Sequence, residues 1–159
     1  KFEEAIEVYE SLSVVSPEAD YQMGILYRDG VMDDPPRPDY IQAAYYFRNA
    51  ADNNHIQAAY EYALMCLRPS GRFRKNFRNA EKYFKIAADA GLANAQYMLG
   101  YMYRTGLVEK DLPKAVEYLE KARAQSHSYS ALELASIYQQ PECRNARRLP
   151  HPTALRRVH

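Results

Sequence analysis

The chain has 159 residues, a length typical of one domain, and 47% of them are hydrophobic, enough for a core that buries roughly two thirds of the surface. The formal net charge of +1 provides no overall field that would attract nucleic acid or an anionic membrane. No run of about 18 apolar residues occurs, so this sequence contains no predicted membrane span.

Apolar residues recur along the chain with the period of an amphipathic helix. Ala80, Tyr83, Phe84 and Ala87, for example, follow an i, i+3, i+4, i+7 pattern that places them on one helical stripe. The pattern predicts an all-α chain with helices at approximately 2–12, 17–29, 39–52, 56–67, 76–90, 93–104, 112–124 and 127–139.

Helix-capping residues stand where these helices should begin and end. Residues that favour the N-cap position precede four of the helices: Ser16, Asp39, Asn76 and Asp111. Glycines that can adopt the left-handed conformation follow three of them: Gly30, Gly91 and Gly106. The prolines at 35, 36 and 38 exclude a helix between the second and third segments.

The chain contains an internal repeat. Segments 19–30 (ADYQMGILYRDG) and 95–106 (AQYMLGYMYRTG) share six of twelve residues. One column of this repeat consists of Tyr27, Cys66, Tyr103 and Tyr138, and a small residue lies three positions before each: Gly24, Ala63, Gly100 and Ala135. The spacing predicts four helix pairs at 2–30, 39–68, 76–106 and 112–139, with the tyrosine columns packed between repeats or, alternatively, stacked on a ligand.

Gly24 and Gly100 lie in the middle of predicted helices, where glycine costs about 1 kcal/mol relative to alanine. Because the position is small in all four units, we predict that it lets the partner helix of each hairpin approach closely. The alternative is a tolerated surface glycine.

The motif A-x-x-Y-[FL]-x-x-A-A-x-x-G followed by A-x-x-x-L-G-x-x-Y-x-x-G resembles the Sel-1-like repeat, a relative of the tetratricopeptide repeat. Residues 79–106 carry it nearly intact, and the resemblance covers approximately residues 2–139. Asn54 and Ser126 depart from it, since they stand where Gly91 stands in the third unit. The resemblance implies an α-solenoid, a right-handed superhelix of antiparallel helix pairs, that works as a protein-binding scaffold or adaptor.

In relatives of this kind the concave face is lined mainly by the first helix of each pair. Its solvent positions here are the candidate contacts for a partner protein or peptide: Tyr45, Arg48, Asn49, Lys82, Lys85, Ile86, Glu117, Glu120 and Lys121. They run from basic to acidic along the array, which predicts a groove for a segment of mixed charge anchored by Tyr45 and Ile86. The alternative is an ordinary solvated face.

The stretch GRFRKNFRN at 71–79 is a second candidate. Its basic residues Arg72, Arg74, Lys75 and Arg78 alternate with Phe73 and Phe77, so they could contact nucleic acid or an acidic partner. In the interpretation that we favour, Phe77 belongs to the core and the arginines solvate a loop. The tail 141–159 carries five arginines and one glutamate and is predicted to be flexible, either as a basic arm that meets an acidic partner or RNA or as a disordered end. The alternative function is therefore a structural subunit of a large assembly, with or without RNA, that uses the basic loop 71–79 and the tail as contacts.

Catalytic and cofactor motifs do not occur: we find no Gly-rich phosphate loop, no H-E-x-x-H and no Cys-x-x-Cys. We therefore predict no enzymatic activity, no cofactor and no metal site. Cys66 and Cys143 do not form a disulfide framework and no Asn-x-Ser/Thr site occurs, which favours a reducing intracellular compartment such as the cytoplasm. Because the first residue is lysine, and because Phe2, Ile6 and Tyr9 lie on a first helix with no preceding repeat, we expect the chain to belong to a longer polypeptide or a larger complex.

Overall fold

The computed structural model describes residues 2–13, 16–31, 37–68 and 70–140, apart from the side chains of Phe2, Glu10, Leu12 and Ser13. These residues form an all-α array of eight helices without a strand: α1 (Phe2–Ser13), α2 (Pro17–Asp29), α3 (Tyr40–Asp52), α4 (Ile56–Leu67), α5 (Phe77–Asp89), α6 (Ala93–Thr105), α7 (Leu112–Ala124) and α8 (Ser128–Gln139). The predictions made for the tail 141–159, including Cys143, lie outside the described residues. None of the described helices is both long and apolar enough to cross a bilayer.

Every predicted helix is present, with ends that differ from the prediction by one residue at most. The caps explain this accuracy. The carboxylates of Asp39 and Asp111 accept backbone N–H groups at the starts of α3 and α7, and the amide oxygen of Asn76 does so for α5. Sequence reasoning missed one cap: His55 Nδ1 accepts the N–H of Ala58, 3.1 Å away, at the start of α4.

The helices alternate between two rows, which we call the first helices (α1, α3, α5, α7) and the second helices (α2, α4, α6, α8). Contacts run along each row as well as between them. The Tyr83 hydroxyl of α5 donates to Asp52 Oδ1 at the end of α3, 2.7 Å away. In the other row Arg28 Nη1 of α2 donates to Glu61 Oε2 of α4, 3.1 Å away. The buried core lies between the rows, as expected for an α-solenoid.

Gly24 and Gly100 are both buried, and each is required by a close helix approach. A Cβ atom at Gly24 would lie 2.6 Å from Cδ1 of Phe47, and one at Gly100 would lie 2.5 Å from Cγ of Leu119. The predicted close approach is confirmed, but the predicted partner is wrong. Each glycine faces the following first helix, α3 or α7, because the large apolar residue of that helix fills the slot left by the missing side chain.

The repeat column that ends in Tyr138 is only partly buried. Cys66 and Tyr103 lie in the core as predicted, and the half-buried Tyr27 stacks on Tyr46 with ring centroids 5.4 Å apart. Tyr138 is 36% exposed and Ala135 is also exposed, so the predicted packing fails in the fourth unit. The reason is positional: α8 is the last described helix, and no following first helix covers this face within residues 2–140.

Candidate protein-binding surfaces

The nine residues predicted to line a binding face lie on the solvent side of three first helices, and we call them the first-helix face. Six are exposed: Tyr45, Arg48, Lys82, Lys85, Glu117 and Lys121. Three are half-buried: Asn49, Ile86 and Glu120. Their exposure agrees with the helical stripe, whereas binding by them stays a prediction.

The α7 end of the first-helix face differs from the predicted acidic end. Lys121 Nζ lies 2.7 Å from Glu117 Oε1, and Arg123 Nη2 lies 2.7 Å from Glu120 Oε2. Each carboxylate is thus neutralised one helical turn away by a cation of its own helix. The predicted gradient from basic to acidic is therefore wrong, and the face runs from basic at α3 and α5 to nearly neutral at α7.

The basic end of the face carries cations without ionic partners. Neither Arg48 nor Lys85 makes an ion pair or a side-chain hydrogen bond with another described residue. Lys82 Nζ lies 4.7 Å from the ring centroid of Tyr83, a cation–π contact that leaves its charge available. Tyr45, half exposed, packs edge-on against Tyr46.

Two hydrogen bonds from buried tyrosines fix the helices that carry the face. Tyr83 donates to Asp52, and the Tyr103 hydroxyl donates to Glu81 Oε1 of α5, 2.6 Å away. Burial raises the pKa of both tyrosines well above its usual value, and the accepting carboxylates raise each pKa further. The hydroxyls remain neutral donors at physiological pH, so the links between neighbouring helices persist.

The basic loop at 71–79 is exposed at its charges but not at its rings. Its four cations, Arg72, Arg74, Lys75 and Arg78, are exposed and have no ion pair among the described residues. Phe73 is half-buried and lies edge-on to Tyr62 with centroids 6.4 Å apart, and Phe77 begins α5 and packs against the core. The interpretation favoured above is confirmed for Phe77. Both rings are half-buried, so the RNA prediction rests mainly on the charges of the loop.

The row of second helices contains contacts that sequence reasoning missed. Between α2 and α4 the ring of Tyr21 stacks on His55 with centroids 4.5 Å apart. Beside this stack, Arg28 pairs with Glu61. Together the aromatic stack and the ion pair close the junction between these two helices.

The junction between α6 and α8 repeats the same two contacts. Tyr97 stacks on His127 with centroids 4.6 Å apart, and Arg104 Nε lies 2.6 Å from Glu133 Oε2. The latter contact is an ion pair in which the Nε–H is not aligned for a hydrogen bond. Two of the three junctions along this row are therefore closed in the same way.

The middle junction, between α4 and α6, has neither contact. In the repeat register Leu92 takes the place of the histidine, Leu67 that of the arginine and Met98 that of the glutamate. An open cleft of about 390 Å³ lies here, lined by Arg68, Lys75 and six apolar or aromatic residues: Leu67, Phe77, Tyr97, Met98, Tyr101 and Leu107. The sequence does show that these register positions change from charged residues and histidine to apolar residues. The importance of that change is visible only once the contacts at the other two junctions are known.

Within the described residues, the cysteine and the histidines, which could act as nucleophiles or metal ligands, have structural roles. Cys66 is a buried free thiol, and burial raises its pKa to about 11, which disfavours a thiolate at neutral pH. His55 and His127 stack on tyrosines. No group of three histidine, cysteine or carboxylate side chains among the described residues is placed to hold a metal ion.

Paired helices stacked in two rows, with small residues in register against large ones, define an α-solenoid. The chain belongs to the Sel1 repeat family, which matches residues 17–55, 56–92 and 93–127. Each matched stretch joins a second helix to the following first helix, the pair that meets at Gly24 and at Gly100. Sel1 repeats form a non-catalytic scaffold family whose members generally mediate protein binding.

Known proteins resemble the chain at low identity. Chitin synthase regulatory factor 2 of Schizosaccharomyces pombe is 30% identical over 129 residues, which span 77% of this chain but 24% of that protein. A protective antigen of uropathogenic Escherichia coli strains with an SLR fold superposes with a TM-score of 0.71 at 20% identity, covering 84% of this chain and 28% of that one. A Sel1 repeat protein from Oxalobacter formigenes gives 0.67 at 23% identity, covering 85% and 54%. These two structures share the fold.

Proposed function

We propose that this chain is a non-catalytic scaffold or adaptor that binds a partner protein or peptide along the first-helix face. The observation that carries the proposal is the set of unpaired cations on two consecutive first helices, Arg48 on α3 and Lys85 on α5, together with the half-exposed Tyr45 of α3. Tyrosine and arginine are the residue types most often responsible for binding energy at protein interfaces.

The charge distribution specifies the partner. A segment that crosses α3 and α5 must be acidic to pair with Arg48, Lys82 and Lys85. Where it reaches α7 it meets carboxylates already paired with lysine and arginine, and acidic residues gain nothing there. The partner segment therefore carries its acidic residues at one end and neutral residues at the other. The fission yeast relative is named as a regulatory factor, a role compatible with such an adaptor.

The test is a charge reversal at Lys82 and Lys85. Lys82→Glu combined with Lys85→Glu should abolish capture of a partner that binds along the first-helix face in a quantitative pull-down. The matched control is Arg37→Glu with Lys110→Glu, which changes the net charge equally at two exposed loop residues outside the face. Circular dichroism should show the same helix content in all three proteins. Equal capture by both variants would remove the first-helix face from the proposal.

A further inference from the structure

We propose that the cleft between α4 and α6 is a second peptide-binding site, which takes a large apolar side chain flanked by acidic residues of a partner protein. The row of second helices contains three equivalent junctions. Two are closed by a tyrosine–histidine stack and an arginine–glutamate pair, and the middle one replaces both contacts with apolar residues and is open.

The interior of the cleft suits an apolar side chain. Its volume of about 390 Å³ lies within the range of roughly 300–1,000 Å³ typical of ligand sites. Tyr97 and Tyr101 form part of the wall, and both are held in place by the neighbouring junction. Tyr97 stacks on His127, and the Arg104 guanidinium lies 5.6 Å from the Tyr101 ring centroid. A wall fixed before binding lowers the conformational entropy lost by the complex.

The rim of the cleft defines the charge of the partner. Arg68 and Lys75 line it, both are exposed, and neither has an ion pair among the described residues. An adjoining hollow, which shares Lys75, Phe77 and Leu107 with the cleft, is also lined by Arg78, Glu81 and Glu109, so the charge there is mixed. The flanking acidic residues of the partner therefore contact the Arg68 and Lys75 side, and the apolar residue points between α4 and α6.

The same geometry favours a peptide over single-stranded RNA. RNA recognition without base pairing depends on exposed rings on which bases stack. Phe73 is half-buried and edge-on to Tyr62, and Phe77 is half-buried in the wall of the cleft, so the basic loop presents no row of fully exposed rings. An apolar cleft with two rim cations fits one anchoring side chain and its acidic neighbours.

The ion pairs at the other two junctions indicate which substitutions would close the cleft. Leu67→Arg with Met98→Glu places at the middle junction the ion pair found at equivalent positions of the other two. Because this pair is accommodated twice in the same array, the variant should keep its fold. A second variant, Arg68→Glu with Lys75→Glu, leaves the apolar wall intact and reverses the rim. The charge control is again Arg37→Glu with Lys110→Glu, since neither residue lines the cleft.

The experiment is a selection of random peptides displayed on phage against the whole chain, with counter-selection on the closed variant. Enriched peptides are labelled with fluorescein and titrated by anisotropy, beside a labelled single-stranded oligouridylate. We expect peptides with Asp or Glu next to Leu, Phe or Trp, and binding about tenfold weaker or worse to both cleft variants, as for loss of an interface hot spot. Binding to the charge control should be unchanged.

Three results would overturn the proposal. Enriched peptides without acidic residues would show that Arg68 and Lys75 do not select the partner. Equal affinity for the wild-type chain and the closed variant would show that the peptide does not bind in the cleft. Oligouridylate binding that is lost in the rim variant, with no peptide enriched, would reassign the surface to RNA. The Lys82 and Lys85 reversal separates this site from the first-helix face, because those residues lie on the solvent side of α5 and do not line the cleft. Either site can therefore fail without the other.

Discussion

At the residue scale, three loop positions share a left-handed backbone. Gly91 has φ +94°, and Asn54 and Ser126, which occupy the same register position, have φ +67° and +64°. Glycine adopts this conformation freely, asparagine tolerates it, and serine with its Cβ is strained there. The family pattern has glycine at this position because the chain must reverse between helices within a few residues.

Replacing the strained residue should stabilise the protein. We expect Ser126→Gly to raise the free energy of unfolding by about 0.5–1 kcal/mol, because the relief of left-handed strain exceeds the added entropy of the unfolded chain. Asn54→Gly should gain less, and Ser126→Ala should gain nothing since alanine keeps the Cβ. Urea denaturation monitored by circular dichroism measures all three. Equal stability of the glycine and alanine variants at position 126 would contradict the explanation.

At the element scale, the contact between a second helix and the following first helix depends on a small residue opposite a large one. Gly24 meets Phe47, and Gly100 meets Leu119 together with the carbonyl oxygen of Ala115. The atoms met are a ring and a branched Cγ, neither of which is the free end of a flexible chain. Neither helix can therefore accept an added methyl group without moving.

We expect Gly24→Ala and Gly100→Ala to destabilise the protein in spite of better helix propensity. Overpacking typically costs about 1–3 kcal/mol, which matches or exceeds the propensity gain of about 1 kcal/mol. The double variant Gly24→Ala with Phe47→Leu should be less destabilised than the sum of its single changes, because the smaller side chain vacates the space. Chemical denaturation of the four proteins in this cycle provides the measurement. Additive effects would show that the clash is relieved elsewhere.

At the scale of the whole molecule, buried and half-buried tyrosines are distributed along the array. Burial is the first cause of a raised pKa in seven of them: Tyr21, Tyr60, Tyr62, Tyr83, Tyr97, Tyr103 and Tyr118. In the unfolded chain these groups return to a pKa near 10. The folded state therefore resists their ionisation, and this resistance is distributed over the whole solenoid.

The sign of the pH dependence follows from these raised pKa values. The contribution of the tyrosines to stability is complete below about pH 10 and is lost as the pH rises, because only the unfolded state ionises readily. We expect the free energy of unfolding to fall steeply above that pH. Tyr83→Phe with Tyr103→Phe should make the fall shallower, since these two hydroxyls also face carboxylates. Urea titrations across the alkaline range test this, and an unchanged slope would show that other groups dominate.

The sequence by itself determined the helices, their caps and their repeat register, because these depend on residues close together in the chain. Asp39, Asn76 and Asp111 cap their helices through hydrogen bonds to groups two or three residues away, so local pattern was sufficient. It also indicated which first-helix residues face solvent, since one apolar stripe defines the opposite side.

Only the tertiary structure decided which helix each glycine meets, which charges of the first-helix face are neutralised and which junction is open. Each outcome depends on how side chains from separate helices, or from successive turns of one helix, are oriented and how closely they approach. Gly24 could have faced either neighbouring helix, and packing against Phe47 selected α3. In the sequence Leu67 and Met98 are ordinary apolar residues. Only the Arg28–Glu61 and Arg104–Glu133 pairs show that the equivalent positions at the other two junctions form ion pairs. Helix formation is a local equilibrium, whereas an open or closed junction is set by long-range packing.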